Sequence, residues 1–101
     1  MKQDIIPESI EFEWDEGNTQ KSFKKHGIEN DESEGVFFDK DSVLAEDRKH
    51  SGSETRYQIV GKSNIGRLLN IIFTIRKQKV RIISARRMHL KERRLYEGKK
   101  T

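Results

Sequence analysis

The residues best equipped for chemistry in this chain are arginines. Positions 81 to 87 read Arg81-Ile82-Ile83-Ser84-Ala85-Arg86-Arg87, and Arg67 and Arg76 bracket the apolar segment just before them. In an extended strand, Arg81, Ile83 and Ala85 share one face and Ile82 and Ser84 the other, which sets Arg81 on a partly apolar sheet surface that calls for an anion. A planar, permanently charged guanidinium binds phosphate oxygens in pairs, and four or five of them brought together make a phosphate site. RNA is the polynucleotide that supplies its own nucleophile, the 2′-hydroxyl. A protein that cleaves it must orient the attack in line, stabilise the charge that builds on phosphorus and move a proton at each end. Arginine meets the second need, and Lys25, His26, Glu92 and Tyr96 are the candidates for the third. Each also has a plainer use: His26 as a helix-end cap, Glu92 as an ion-pair partner, Tyr96 as a packing residue, and Arg93 and Arg94 as a solvated helix face.

Composition removes other chemistries. The chain has no cysteine, so disulfides, thiolate metal sites and a cysteine nucleophile drop out. His26, His50 and His89 show no metal-binding spacing, and neither a metal nor a cofactor is expected. The longest apolar run, Leu68 to Ile75, is 8 residues and contains Asn70 and Thr74, too short to span a bilayer. The amino terminus lacks a signal-peptide core, so a cytoplasmic protein is expected. Charge is divided unevenly: residues 1–55 carry 7 basic and 15 acidic side chains, and residues 56–101 carry 14 basic and 2 acidic ones. That basic half predicts an anionic partner.

The 101 residues suffice for one domain with a thin core, read as an extension over 1–9, a domain over 10–98 and a tail over 99–101. Alternation predicts a first strand from Ile10 to Trp14, with Asp15 capping a helix that runs to His26 and stops at Gly27. Phe23 is the expected core anchor of that helix. Asp31 and Glu34 have capping-box spacing for a second helix that enters Val36 and Phe37. A short strand is expected at Val43 to Ala45, then a flexible loop around His50 to Ser53. A meander of Tyr57–Val60, Leu68–Ile75 and Val80–Ala85 follows, with Lys77 and Gln78 in the last turn. A helix from about His89 to Glu97, with Leu90 and Leu95 as its apolar residues and Gly98 as its stop, closes the chain. The class is α+β: a small antiparallel sheet, two amino-terminal helices and one carboxyl-terminal helix.

In order along the chain, FEWD at Phe12 to Asp15, KHGI at Lys25 to Ile28, VF at Val36 and Phe37, HS at His50 and Ser51, GKSNIGRLL at Gly61 to Leu69, FTIR at Phe73 to Arg76, and RIISARR with ER and Y at Arg81 to Tyr96 resemble the BrnT toxin family. The resemblance implies a RelE-like fold and a metal-independent ribonuclease toxin of a type II toxin–antitoxin system that arrests translation. It also implies a cognate BrnA-like antitoxin that neutralises the toxin and alone contacts operator DNA, in a hetero-oligomer that represses its own operon. It assigns catalysis to Lys25, His26, Arg67, Arg81, Arg86, Glu92 and Tyr96, and RNA contact to Arg76, Arg87 and Arg93, with the RNA free or on the ribosome. Asn18 and Ser22 depart from the lysine and asparagine common in the family, which predicts weaker RNA contact and leaves room for a degenerate toxin. Two other functions fit the same basic face: a nucleic-acid-binding or operon-regulating module that does not cut, and a surface that docks an acidic antitoxin segment.

Overall fold

The computed structural model describes residues 5–100. Two short helices, α1 (Lys21–His26) and α2 (Asn30–Gly35), lead through a 3-10 turn (Val36–Phe38) into four strands, β1 (Val43–Glu46), β2 (Tyr57–Lys62), β3 (Leu68–Arg76) and β4 (Lys79–Arg87). Helix α3 (Leu90–Lys100) follows. The strands form one antiparallel sheet in the order β1-β2-β3-β4, the meander that the sequence predicts, preceded by a strand at Val43.

The two faces of this sheet differ, and the difference creates the site. Alternation in β2, β3 and β4 turns Ile59, Leu69, Ile71, Phe73, Val80 and Ile82 toward Ile28, Val36 and Phe37, which form the main core. Phe37 meets the rings of Phe12 and Phe73 edge-on at 5.3 and 4.9 Å. Ile6 is buried in the same core, with Ile5 and Ile10 packed against it. On the opposite face a smaller cluster, Val60, Met88 and Tyr96 with Val43 and Leu68, seats helix α3. Because α3 covers only that end, the rest of the second face is open.

Several local expectations are corrected. Residues Ile10 to Trp14 do not form a strand of the sheet. Their apolar side chains do pack on the core, but the backbone makes a single parallel bridge, Phe12 to Val80, flanked by hydrogen bonds of 2.8 Å from Glu13 N–H and to Glu11 C=O. An Asx turn then diverts the chain: Asp15 Oδ1 accepts from Gly17 N–H, and Asn18 Oδ1 accepts from Asp15 N–H. The first helix therefore starts at Lys21 rather than after Asp15, since residues 16–20 are turn and Gln20 has φ 63°. Gly27 ends it as expected, at φ 72° with its N–H on Phe23 C=O.

Phe23 is not a core anchor but 45 % exposed, and Leu90 and Leu95 are also exposed. Among the described side chains of α3, Tyr96 is the buried one instead. The Asp31–Glu34 capping box does not form: Glu34 takes the Trp14 indole N–H at 2.7 Å, and α2 begins without a side-chain cap. One arm of a capping box does form at α3, where Glu92 Oε1 accepts His89 N–H at 2.8 Å. Gly98 does not stop that helix. Its backbone runs on to Lys100, while residues 1–4 and Thr101 lie outside the described residues.

Candidate active site

A β-bulge decides what the open face presents. Ile72 pairs with Ser84 but Phe73 pairs with Ile82, so Ile83 is the extra residue of β4. The expected alternation fails there: Ala85 turns into the main core, and Ser84 joins Ile83 beside the open face. The bulge also aligns Arg86 with this surface.

The resulting cleft holds about 370 Å³. Ile72, Ile83 and Ser84 wall it, Gln58 and Asn70 form its floor, and Asp47, His50, Arg56 and Arg86 stand at its margin. Its histidine comes from the loop between β1 and β2. That loop, expected to be the most flexible segment, is tied at both ends: Ser51 Oγ donates to Asp47 C=O at 2.7 Å and accepts Arg56 N–H at 2.9 Å, and Asp47 N–H donates to Arg56 C=O. His50 Nδ1 lies 3.0 and 3.1 Å from the two Asp47 carboxylate oxygens. With Nδ1–H held on the carboxylate, Nε2 is the ring atom left for proton transfer.

Arg86 is fixed from the other side. Its Nη1 and Nη2 donate to both oxygens of Glu92 at 2.8 and 2.7 Å, and Nη1 also donates to Arg87 C=O. Burial pushes the Glu92 carboxyl up, but the Arg86 hydrogen bonds and His89 N–H outweigh it and hold it below its ordinary value. Glu92 is thus an anion at neutral pH that orients Arg86.

The other arginines do not converge on one point. Arg81 donates to Glu13 at 3.0 Å and to both Asp15 oxygens at 2.8 and 2.9 Å, and this guanidinium holds the Asp15 carboxyl below its usual range. Arg76 chelates Glu54 with two bonds of 3.0 Å, close enough to Arg81 for the two cations to repel. Arg67 pairs with the buried Glu32 and donates to Gly27 C=O at 3.0 Å. Together with Gly66, Leu68 and Met88, the residues Arg67, Arg87 and Arg93 line a second cleft of about 400 Å³. Lys25 and His26 are exposed at the end of α1 and line neither cleft. Tyr96 is buried and donates its hydroxyl to Asp39 at 2.7 Å; burial first, and then Asp39, push its pKa up. Among the described residues no group of three or more acidic or histidine side chains is placed to hold a metal ion.

Of the expected site residues, the open cleft contains Arg86, with Glu92 behind it. Sequence reasoning nominated neither Asp47, His50 and Arg56 nor the floor pair Gln58 and Asn70. The signal for His50 was its place, with Ser51, among the motifs carrying the family resemblance. Asn18 and Ser22 also have a definite place: Asn18 Nδ2 donates to Ile82 C=O at 2.9 Å, and Ser22 Oγ accepts Ala85 N–H at 2.8 Å. Both satisfy the free edge of β4.

A sequence model of the ribonuclease toxin BrnT of type II toxin–antitoxin systems matches residues 14–92. The chain belongs to the BrnT family. The matched stretch takes in the whole sheet together with Asp47, His50, Arg56, Arg86 and Glu92, so the open cleft lies within the BrnT portion of the molecule. Membership makes the chain the ribonuclease toxin of such a pair and implies an antitoxin partner. No curated protein matches the chain. No helix among the described residues is long and apolar enough to cross a membrane.

Proposed function

We propose that this BrnT toxin cleaves RNA by attack of a 2′-hydroxyl on the adjacent phosphate, and that the cleft on the open face of the sheet is where it does so. The observation that carries this is the placement of His50, held on Asp47, at the margin of the cleft that Arg56 and Arg86 also line. His50 Nε2 takes the 2′-hydroxyl proton as the 2′-oxygen bonds to phosphorus. The bond to the 5′-oxygen breaks, and that oxygen leaves with a proton from water in the open cleft. The products are a 2′,3′-cyclic phosphate and a 5′-hydroxyl. Arg56 and Arg86 stabilise the phosphorane-like charge, with Arg86 preset by Glu92. Arg67, Arg87 and Arg93 extend the RNA-binding surface in the second cleft, and Lys25 and His26 contact RNA from the end of α1. Arg76 and Arg81 are tied to carboxylates and shape the far end of the sheet, and Tyr96 fixes α3.

The four-stranded antiparallel sheet, together with the sequence resemblance, supports a RelE-like kinship. The family's toxin–antitoxin setting supports a cytoplasmic role: cleavage of RNA, free or on the ribosome, arrests translation until a BrnA-like antitoxin binds in a hetero-oligomer. Operator contact then belongs to the antitoxin.

The test is incubation of antitoxin-free protein with RNA, and with ribosome-bound mRNA, in EDTA, followed by end-group analysis. Cyclic-phosphate ends that disappear in His50→Ala and Arg86→Ala are expected. Intact RNA in both settings, or cleavage undiminished in His50→Ala, overturns the proposal.

A further inference from the structure

The floor of the cleft carries polar atoms that phosphate chemistry does not use. Asn70 is 1 % exposed, and Gln58 lies beside it across the β2–β3 ladder. Their orientations are fixed by one group. A carboxylate only accepts hydrogen bonds, and Glu92 is held by two bonds from Arg86 and one from His89 N–H. Gln58 must therefore turn its Nε2 toward Glu92, 3.4 Å away, and its Oε1 elsewhere. The same Nε2 donates to Asn70 Oδ1 at 2.5 Å, which turns Asn70 Nδ2 away in its turn. Neither Gln58 Oε1 nor Asn70 Nδ2 has a hydrogen-bond partner among the described residues, and no unpartnered polar side-chain atom is fully buried, so both reach the cleft that their residues floor.

We propose that this pair is a nucleobase subsite: Gln58 Oε1 and Asn70 Nδ2 read one base edge of the RNA whose phosphate lies at Arg56 and Arg86. The inference rests on the ribonuclease reading of the cleft. An acceptor beside a donor is the complement of a base edge that offers an N–H beside a ring nitrogen or carbonyl oxygen. Ile72 and Ile83 supply an apolar wall for the face of the base. Amides held in one orientation in this way discriminate because a base with the wrong pattern leaves one of them unpaired. The chain Arg86–Glu92–Gln58–Asn70 thus ties the group that meets phosphate to the groups that read the base.

The test uses 2′-deoxy trinucleotides that differ only in the central base and cannot supply the nucleophile. Binding to the full-length, antitoxin-free protein is measured together with the side-chain amide resonances of Gln58 and Asn70. One central base is expected to bind about tenfold tighter than the weakest and to shift the Asn70 amide signal. Asn70→Asp keeps the oxygen that accepts from Gln58 but turns the donor into an acceptor, so the preference should move toward guanine, whose edge offers two adjacent N–H groups. Equal affinity for all four bases, or amide signals that stay fixed, overturns the subsite, and this readout on the unsubstituted protein does not depend on any variant folding. Base-selective binding without RNA cleavage upholds the subsite while the ribonuclease reading falls. Cleavage with equal affinity for all four bases sinks the subsite alone.

Discussion

His50 and Arg86 reach the same cleft by different routes, and their substitution should separate two kinds of loss. His50 owes its geometry to one carboxylate and to a loop pinned by Ser51. His50→Ala is expected to lower kcat by about 10²- to 10⁴-fold, the ordinary worth of a positioned proton-transfer group, with little change in RNA affinity or melting temperature because the ring is exposed. An unchanged kcat would remove it from the chemistry. Arg86→Lys keeps the charge but gives up the two-pronged geometry that Glu92 enforces, so kcat/KM should fall while binding at low salt persists. The sequence made Arg86 legible because arginine at the end of a strand calls for an anion, and Glu92 through the ER motif of the family resemblance and its ion-pair reading. It hid the partnership of Asp47 and His50, since two residues three apart in a loop follow no period, and it hid Asn70, a polar residue within an apolar run that reads as an interruption of the strand.

The elements were more legible than the faces they present. Strands β2 to β4 and the turn at Lys77 and Gln78 follow from alternation and punctuation alone. The bulge at Ile83 does not, because nothing in RIISARR distinguishes a regular strand from one carrying an extra residue, and the bulge reverses which side Ser84 and Ala85 occupy. The first strand and first helix were overextended for a related reason: the Asp15–Asn18 turn is made of side-chain bonds that compete with helix. Two stability predictions belong here. Gln78 sits at φ 65° in the β3–β4 turn, a left-handed conformation that suits glycine. Gln78→Gly should stabilise the protein by about 0.5–1 kcal/mol and raise Tm by a few degrees, and a fall in Tm would refute the turn geometry. Asn18→Ala strips partners from Glu13 C=O, Ile82 C=O and Asp15 N–H together, and should cost about 2–3 kcal/mol in urea unfolding. A cost near zero would mean that water replaces the side chain at the β4 edge.

Across the whole molecule, the uneven charge of the sequence turns out to be a folding device as well as a signal of an anionic partner. Acidic residues of the first 55 positions close onto arginines of the rest: Glu13 and Asp15 on Arg81, Glu32 on Arg67, Glu54 on Arg76. The basic half is therefore less exposed to RNA than its composition suggests. The pairing makes stability depend on acid. Arg67 hydrogen bonds hold the Glu32 carboxyl below its ordinary value despite burial, and Asp15, Glu54 and Glu92 are likewise lowered. A carboxyl whose pKa is depressed by folding stabilises the native state fully above its unfolded pKa, and that contribution disappears as pH falls through the folded value. Tm should accordingly be flat from about pH 6 to 8 and drop from about pH 5 downward. Glu32 dominates because its carboxylate is the most enclosed of these four, 4 % exposed against 14 % for Glu92, 35 % for Glu54 and 56 % for Asp15, so solvent screens it least. Glu32→Gln should cost about 2–4 kcal/mol at pH 7, by leaving Arg67 without its counter-charge, and should shrink the difference from the unsubstituted protein as pH falls toward 3. Differential scanning calorimetry of both proteins from pH 3 to 8 checks this. Parallel acid limbs would show that the Glu32–Arg67 pair does not couple the two halves.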